Sequence, residues 1–548
     1  MEPGLNVLCR GVVDESGAPV ADLARRLRHD DRLAVLGAPF AAALIEADQA
    51  TVAADHVGMR HVYGARRDGW AAVSTSATRL AGQIAADVDV TALSVFRLAG
   101  HYLDDETPYA GVRKLPAAHA FRLRDGGLAV QPYEVPGPAY VDDAVAAHAG
   151  RLRELVSGFV EHHPDAVIEL SGGLDSRLVL AAVPLERRAG LTAFTVVSAT
   201  GGDGPVAALL ARRFGMRVCA VDVAAMASLS PEAAYELAFA AAVRQGGVGR
   251  PLSAAVFGWV EAQVPAAPRL SGHGGEMARA LFGTGVEFER SHRTVTDEVA
   301  DAYVRRWIIA NDGVPDEALS AGFAAESRDL GMRRLRRALR RSGADWLGCL
   351  SDFYLRQRMH RFGGITVTDS CDTRITLNPL ADAAVLAIAA GVPYRAQAGS
   401  RHTVRVLRRL DPELARLPLG SGLRPITLDR SVSLARRLGE NTVRGFVEKA
   451  AGKVSRMWSS RRRAATGAPL LAELVVAHWR SRPSLLEPVT RLEMVNRDYL
   501  DRLLSGTATA DANTVDFLLN LVVIVSCQLG YSAPTRAGLA WRGATPEQ

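Results

Sequence analysis

The sequence predicts an α/β protein with at least two domains, and three observations support this class. At 548 residues the chain is too long for a single hydrophobic core. Up to about residue 133, short apolar stretches alternate with turn signals, which is typical of a β-rich region. From Asp142 onward, alanine-rich helical segments alternate with short β-branched runs, which favours βαβ units and a parallel sheet.

The boundaries between these regions follow from changes in composition. The segment Glu134–Pro138 contains two prolines and a glycine, which indicates a linker. After about residue 430 only helical patterns remain. We therefore predict a first domain over residues 1–135, a second over 140–430, and a helical carboxyl-terminal extension of the second over 431–548.

The composition is that of an ordinary soluble globular protein, with 48% hydrophobic and 23% charged residues. The net charge of +6 suits an anionic ligand but does not require nucleic acid. Lysine occurs only at Lys114, Lys449 and Lys453, so most of the positive charge is arginine. A chemical step that needs a cation must therefore use arginine or one of these three lysines.

Several classes of protein are disfavoured by what the sequence contains. Five cysteines form no CxxC pair and no metal-ligand spacing, which favours a reducing cytoplasm. The amino terminus lacks the basic and apolar regions of a signal peptide. The longest apolar run, Phe517 to Leu529, is too short to cross a bilayer and predicts a buried helix. We expect a cytoplasmic protein without a membrane partner.

The most informative stretch is a short apolar run, Ala166–Leu170, followed by Ser171-Gly-Gly-Leu-Asp-Ser176 and a helical segment. Glycines allow the backbone to approach an anion closely, and the amides at a helix start point towards it. Two serine hydroxyls add donors, and Asp175 supplies a hard oxygen ligand for Mg²⁺. The pattern predicts a phosphate-binding turn; the alternative is a turn of small residues that only caps a helix.

This stretch resembles the SGGxDS pyrophosphate loop of the ATP pyrophosphatases, which cleave ATP between its α- and β-phosphates. The resemblance implies a doubly wound parallel-sheet domain of the adenine nucleotide α-hydrolase-like type. It implies ATP as the cofactor, held by loop residues Ser171, Gly172, Gly173, Asp175 and Ser176. It also places adenosine against the ends of the first two strands, at Leu170 and Val196.

A second motif, Ser271-Gly-His-Gly-Gly-Glu276, resembles the SGxGxD segment of asparagine synthetase-like enzymes. The resemblance implies that Ser271 and Gly272 lie near the α-phosphate, and that Glu276 holds Mg²⁺ together with Asp175. His273 stands where β-lactam synthetase carries a catalytic tyrosine, and histidine can take a proton from an amine near neutral pH. Alternatively, His273 only hydrogen-bonds substrate or water.

Later segments resemble the same family. Asp372 takes the place of a glutamate that orients the base, although it could instead be a helix cap. The segment Leu417–Pro425 resembles a region where the family uses a lysine to stabilise developing charge. No lysine occurs from residue 115 to 448, so Arg416 or Arg424 is expected to take this role, with Arg424 as the catalytic candidate.

The first domain resembles the glutamine amidotransferase domain of asparagine synthetases, over segments such as Asp55–Gly58 and Thr107–Val112. The resemblance implies a glutaminase-like, Ntn-type αββα domain. A working glutaminase carries a cysteine directly after the initiator methionine, but Glu2 stands here, and Cys9 is too far inside the chain. The domain is therefore predicted to be degenerate, and glutamine-derived ammonia is not the expected amine.

β-Lactam synthetase and the lasso-peptide macrolactam cyclases share this loss, and the chain resembles the cyclases most. The resemblance implies an AMP- and pyrophosphate-forming ligase that adenylates an Asp or Glu side chain of a precursor core peptide. The peptide's amino-terminal amine then closes a macrolactam ring. A leader peptidase and a leader-binding protein are further candidate partners, and nucleic acid is not expected.

Other functions remain open at this stage. A small-molecule cyclase of the β-lactam or carbapenam synthetase type, or a glutamine-independent asparagine synthetase-like ligase, would share the first half-reaction. Arginine clusters at 333–341 and 461–463 could contact RNA phosphates, but such clusters are more often solvated helix faces. A non-catalytic binding protein is disfavoured because both candidate Mg²⁺ ligands and both loop serines are present.

Overall fold

The computed structural model describes residues 4–197, 203–279, 295–342, 346–429 and 467–528. Within these ranges the chain is an α/β protein, with two antiparallel sheets first, a parallel sheet next and helices last. The predicted class and the order of the three regions are therefore confirmed. Glu2 and the arginine cluster at 461–463 lie outside the described residues.

The first region contains a five-stranded antiparallel sheet, ordered β1-β2-β3-β7-β8, and a three-stranded one, ordered β5-β4-β6. The strands are β1 (Gly4–Val7), β2 (Ala41–Ile45), β3 (Gln49–Ala54), β4 (Tyr63–Arg67), β5 (Trp70–Ser74), β6 (Val112–Lys114), β7 (His119–Arg124) and β8 (Gly127–Pro132). The two sheets pack face to face, because a Cβ on Gly64 would lie only 2.9 Å from the ring of Phe121. Glycine at this position permits the close approach of the sheets.

Helices cover the outer faces of this pair of sheets. Leu27 of α1 (Leu23–His29) packs with Ala42 of β2, on the face away from the smaller sheet. Leu80 of α2 (Ala77–Ile84) packs with Tyr63 of β4 on the other outer face. Side chains alternate along each strand, so the same strands supply an inner and an outer apolar surface.

The middle region contains a five-stranded parallel sheet, ordered β11-β10-β9-β12-β13. Its strands are β9 (Val167–Glu169), β10 (Thr192–Val197), β11 (Arg217–Asp222), β12 (Arg269–Leu270) and β13 (Thr376–Leu377). From β9 the chain adds two strands on one side and then returns to add β12 and β13 on the other. This reversal makes a switch point between β9 and β12, and a crevice opens at the carboxyl ends of such strands.

Helices pack on both faces of the parallel sheet. Ile168 of β9 lies in one apolar cluster with Leu152 and Leu407, whereas Val167 packs with Val260 on the opposite face. Both faces of the central strand β9 are therefore covered, as is usual for a parallel sheet. The remaining helices of the first two regions are α3 (Val90–Ala99), α4 (Ala144–His162), α5 (Leu174–Ala182), α6 (Asp203–Arg213), α7 (Pro231–Gln245), α8 (Pro251–Glu261), α9 (Asp297–Tyr303), α10 (Ala310–Asp312), α11 (Ala321–Leu339), α12 (Trp346–Phe353), α13 (Gly364–Cys371), α14 (Ala383–Gly391), α15 (Tyr394–Gln397), α16 (Arg401–Leu410) and α17 (Pro425–Leu428).

Shorter or wider helical turns connect these elements. Wide π-type turns continue α9 and α12, over Val304–Ile309 and Tyr354–Gly363. The 3₁₀ turns are Leu33–Val35, Leu185–Gly190, Val223–Ser228, Met277–Arg279, Asp316–Ala318, Pro379–Ala381, Ala398–Ser400, Leu414–Arg416 and Pro483–Leu486.

The described part of the last region is helical and joins a core that all three regions share. Its helices are α18 (Ala468–Ser481), α19 (Glu487–Thr490), α20 (Arg497–Ser505) and α21 (Ala512–Gln528). Leu518 of α21 lies in one apolar cluster with Phe96 of α3 and Ala238 of α7. The buried helix predicted from Phe517 is confirmed as part of α21. Among the described helices, none has the length and apolar character needed to cross a membrane.

Candidate active site

The turn after β9 is held in shape by its own two serines. The Ser171 amide donates to Ser176 Oγ (3.1 Å), and the two hydroxyl oxygens lie 3.0 Å apart. The amide of Gly173 donates to Ser171 Oγ (3.1 Å). The strand, turn and helix predicted from Ala166 onward are therefore present, and the turn opens at the switch point.

Helix α5 begins at this turn without a capping side chain. Its N-cap is Gly173, and no side chain of the described residues accepts a hydrogen bond from the first-turn amides. By contrast, Asp143 caps α4 and Ser230 caps α7 through side-chain oxygens. The uncapped amides and the positive end of the helix dipole make the start of α5 suitable for an anion.

The peptide of Gly172 is held from both sides. Its N–H donates to Asp203 Oδ1 (2.6 Å), at the start of α6, and its carbonyl accepts from the Gly420 amide (2.8 Å). A Cβ on Gly172 would lie 2.7 Å from the Gly420 Cα, which explains the glycine. The turn is therefore hydrogen-bonded to the start of α6 on one side and to the segment that precedes α17 on the other.

Arg177 fixes that preceding segment against the turn. Its buried guanidinium donates to the carbonyl oxygens of Leu417 and Pro418, both at 2.6 Å. Burial lowers the pKa of Arg177 to about 10, so the group remains charged at neutral pH. Nothing in the sequence predicted this role for Arg177, because an arginine directly after the turn belongs to no recognisable motif.

The turn after β12 packs directly on the turn after β9. A Cβ on Gly272 would lie 3.0 Å from the Ser176 amide nitrogen, and one on Gly275 would lie 2.4 Å from Asp175 Cγ. Gly272 therefore allows the two backbones to approach closely, and Gly275 leaves room for the Asp175 side chain. The structure brings the two sequence motifs together at the switch point, as the resemblance implied.

Two carboxylates and one guanidinium meet where these turns touch. Arg279 Nη2 donates to Asp175 Oδ2 (2.6 Å), and Tyr354 Oη donates to Glu276 Oε2 (2.8 Å). Burial, assisted by the negative charge of Glu276 and opposed by Arg279, raises the pKa of Asp175 to about 6. Burial and Glu276 also raise the pKa of Tyr354, so its hydroxyl stays protonated.

The donor set fits a hard divalent cation. Asp175 Oδ1 is buried and finds no hydrogen-bond partner among the described residues, and oxygen ligands of this kind suit Mg²⁺. The described residues contain no group of three or more His, Cys, Asp or Glu side chains arranged to hold a metal. A cation held by Asp175 and Glu276 would therefore complete its shell with water or with phosphate oxygens.

Arg279 is a further cation beside the two turns, and no sequence motif predicted it there. Its Nε is buried and has no hydrogen-bond partner within the described ranges, although Nη2 contacts Asp175. The resemblance implied Arg416 or Arg424 as the substitute for the family's lysine. The available signal was an arginine three residues after Glu276, close enough in sequence to share its turn.

His273 belongs to a chain of polar contacts at the same place. Ser271 Oγ lies 2.7 Å from His273 Nδ1 and 2.6 Å from Glu169 Oε2. Glu169 also pairs with Arg269 at 3.2 Å. Glu169 is the last residue of β9, and nothing in the spacing of the motifs indicated its role.

Leu170, Val196 and Arg424 are further residues predicted to form the site. Leu170 is buried and its amide donates to Phe194 O (2.8 Å), and Val196 is exposed at the carboxyl end of β10. Both flank the crevice, where the resemblance placed adenosine. Arg424 is exposed after the segment that touches Gly172, and within the described chain its side chain makes no hydrogen bond or ion pair.

Asp372 is not brought to the two turns. Asp372 precedes β13 and so lies near the amino ends of the parallel strands. The two turns follow β9 and β12 and lie at the carboxyl ends. The Asp372 carboxylate pairs with Arg60 of the first region (2.6 Å). This position favours a role in joining the two regions over contact with a ligand in the crevice.

Cys9, the cysteine of the first region, is not placed as a reactive thiol. Cys9 is partly buried, and its thiol donates to Gly11 O (3.3 Å). Burial raises the pKa of Cys9, which disfavours the reactive thiolate.

Comparison with known proteins adds no assignment. No model of a protein family matches the chain, and a search of curated proteins finds no significant match.

Proposed function

We propose that the protein is an ATP-dependent amide ligase that forms AMP and pyrophosphate. The observation that supports this most is the start of α5 at the switch point, which has no side-chain cap among the described residues and lies beside a partly buried cluster of Asp175, Glu276 and Arg279. Helix amides and a guanidinium attract phosphates, and paired acids attract the cation that accompanies them. The arrangement suits a nucleoside triphosphate better than an uncharged ligand.

In the first half-reaction, a substrate carboxylate attacks the α-phosphorus of ATP and pyrophosphate leaves. The α5 amides would hold the outer phosphates. Mg²⁺ held by Asp175 and Glu276 would neutralise part of the phosphate charge. Arg279, with its unpaired Nε, would contact the phosphates and stabilise the negative charge that develops there.

In the second half-reaction, an amine attacks the acyl-adenylate and AMP leaves. His273 is the candidate base that accepts the amine proton. The first region is proposed to be a degenerate glutaminase-like domain, since Cys9 is partly buried and paired to backbone. The amine is therefore proposed to come from the substrate itself rather than from glutamine.

The proposed substrate is a precursor core peptide whose Asp or Glu side chain is joined to its amino-terminal amine, as in lasso-peptide cyclases. A leader peptidase and a leader-binding protein are the proposed partners, and the cytoplasm is the proposed location. An RNA substrate receives less support, because several arginines of the 333–341 cluster form ion pairs with carboxylates of the same chain. The contacts include Arg334 with Glu106, Arg336 with Asp301, and Arg341 with Asp104.

The experiment is incubation of the purified chain with ATP, Mg²⁺ and candidate core peptides. We expect AMP, pyrophosphate and a peptide that is lighter by one water, seen by mass spectrometry. Cyclisation of a small amino acid derivative instead would favour the β-lactam synthetase type. Release of ADP and orthophosphate with the true substrate, or ring closure without nucleotide, would overturn the proposal.

A further inference from the structure

Three side chains lie in line across the two turns: Glu169, Ser271 and His273. Ser271 Oγ is 2.6 Å from Glu169 Oε2 and 2.7 Å from His273 Nδ1. Ser271 is buried, and its amide already donates to Leu377 O (3.0 Å). The hydroxyl is therefore held between one carboxylate and one imidazole.

A proton count decides the direction of both hydrogen bonds. A serine hydroxyl carries one proton, and an ionised carboxylate can only accept. Arg269 lies 3.2 Å from Glu169 Oε1 and stabilises the ionised form of that carboxylate. The serine proton therefore points to Glu169, and Ser271 Oγ is left as an acceptor towards the histidine.

We infer that Glu169 and Ser271 fix the neutral His273 ring with its proton on Nδ1 and its lone pair on Nε2. Nδ1 must donate, because the oxygen opposite it has no proton to give. Nε2 makes no hydrogen bond to the described residues. Glu169 and Ser271 are thus positioning residues that leave one defined nitrogen able to accept a proton.

The consequence for catalysis rests on the proposed function. As the amine nitrogen bonds to the acyl carbon, its N–H bond breaks and the proton passes to His273 Nε2. The bond from the acyl carbon to the AMP oxygen then breaks, and AMP leaves with the electron pair. The opposite tautomer would present an N–H to the amine and could not take its proton.

The test is nitrogen NMR of the full chain with ¹⁵N-labelled histidine, recorded without nucleotide. His273→Ala assigns the two ring signals. We expect a protonated Nδ1 and an unprotonated Nε2 in the natural protein. Glu169→Leu frees the serine proton to point at Nδ1, so it should move the ring proton to Nε2. Glu169→Gln keeps an oxygen acceptor and should retain the natural tautomer.

Ser370→Ala is the matched control, because Ser370 pairs with Thr376 elsewhere in the parallel-sheet region and does not contact His273. It should leave the His273 signals unchanged, whereas Ser271→Ala should give a mixture of tautomers. A natural protein with its proton on Nε2, or a Glu169→Leu variant with unchanged signals, would overturn the inference.

A kinetic readout separates this inference from the proposed function. Glu169→Leu should slow amide formation by roughly 10- to 100-fold and leave ATP–pyrophosphate exchange much less affected. Equal losses in both half-reactions would contradict a role through His273. If the natural chain shows no exchange with any substrate, the proposed function fails, while the NMR result still decides the tautomer.

Discussion

The Cys9 thiol of the first region and the polar groups at the switch point differ in whether their hydrogen bonds are satisfied within the described chain. In the first region, the Cys9 thiol is partly buried and donates to a backbone carbonyl. At the switch point, Asp175 Oδ1 and Arg279 Nε are buried without partners among the described residues. Buried polar groups that lack partners cost stability. Such atoms also occur elsewhere in the described chain, for example at His56 of the first region, but at the switch point a carboxylate and a guanidinium lie in contact beside the start of α5, which favours a ligand there. The comparison indicates that a ligand is better sought at the switch point than at Cys9.

The largest expected effect comes from Asp175→Asn. This change removes the charge of the buried carboxylate that contacts Arg279 and faces Glu276. We expect ATP–pyrophosphate exchange to fall by about 10²- to 10³-fold or more, with the fold intact by circular dichroism. Asp165→Asn, at the exposed opposite end of β9, is the control and should keep full activity. Normal exchange in Asp175→Asn would show that the switch-point carboxylate is not needed for adenylation, which contradicts the proposed site.

The next effect distinguishes two arginines. Arg279→Gln should reduce adenylation by about 100-fold, because it removes the guanidinium charge that contacts Asp175 in the phosphate turn. Arg424→Gln should cost less, since Arg424 is exposed and unpaired within the described chain. Steady-state rates of pyrophosphate release measure both. A larger loss in Arg424→Gln would indicate that Arg424, the residue predicted from sequence, stabilises the developing phosphate charge.

A pH dependence sharpens the comparison further. The pKa of Asp175 is raised from 3.8 to about 6 in the folded chain, so between these values the folded state binds a proton that the unfolded state lacks. This group therefore makes the nucleotide-free fold more stable as pH falls from 7 towards 4. Binding of Mg²⁺ and ATP should weaken about tenfold per pH unit below 6, because the cation needs the carboxylate. Calorimetric titration measures the affinity, and Asp175→Asn should show neither trend.

The smallest expected effect is that of Cys9→Ser. Activity should stay within about twofold and stability within about 1 kcal/mol, because the hydroxyl can donate to the same carbonyl. Added glutamine should not support product formation in either protein. Product assays with and without glutamine check both statements. Glutamine-dependent product would show that the first region still supplies an amine.

The sequence was informative where local chemistry alone decides the structure. The apolar run before Ser171 and the glycines after it predicted β9, its turn and the start of α5 to within a residue or two. The two turns were predicted from their Ser/Gly motifs, and their glycines are explained by close contacts: Gly272 lies against the Ser176 backbone and Gly275 against the Asp175 side chain.

Other features could not be predicted because distant packing decides them. Strands β12 and β13 have only two residues each, so their places depend on the neighbouring strands rather than on their own propensity. The roles of Glu169 and Arg279 depend on which side chains meet across the two turns. Asp372 resembled a base-orienting residue in sequence, but its partner is Arg60, more than three hundred residues earlier in the chain.

The apolar cluster shared by α3, α7 and α21 has a consequence for how the chain can be divided. Because Phe96, Ala238 and Leu518 belong to one cluster, removal of the final helices would expose apolar surface on both earlier regions at once. Fragments cut at the Glu134–Pro138 linker or before Ala468 would each carry an open hydrophobic face. Heating should therefore melt the intact chain in one cooperative step, and separately expressed pieces should aggregate unless they are produced together.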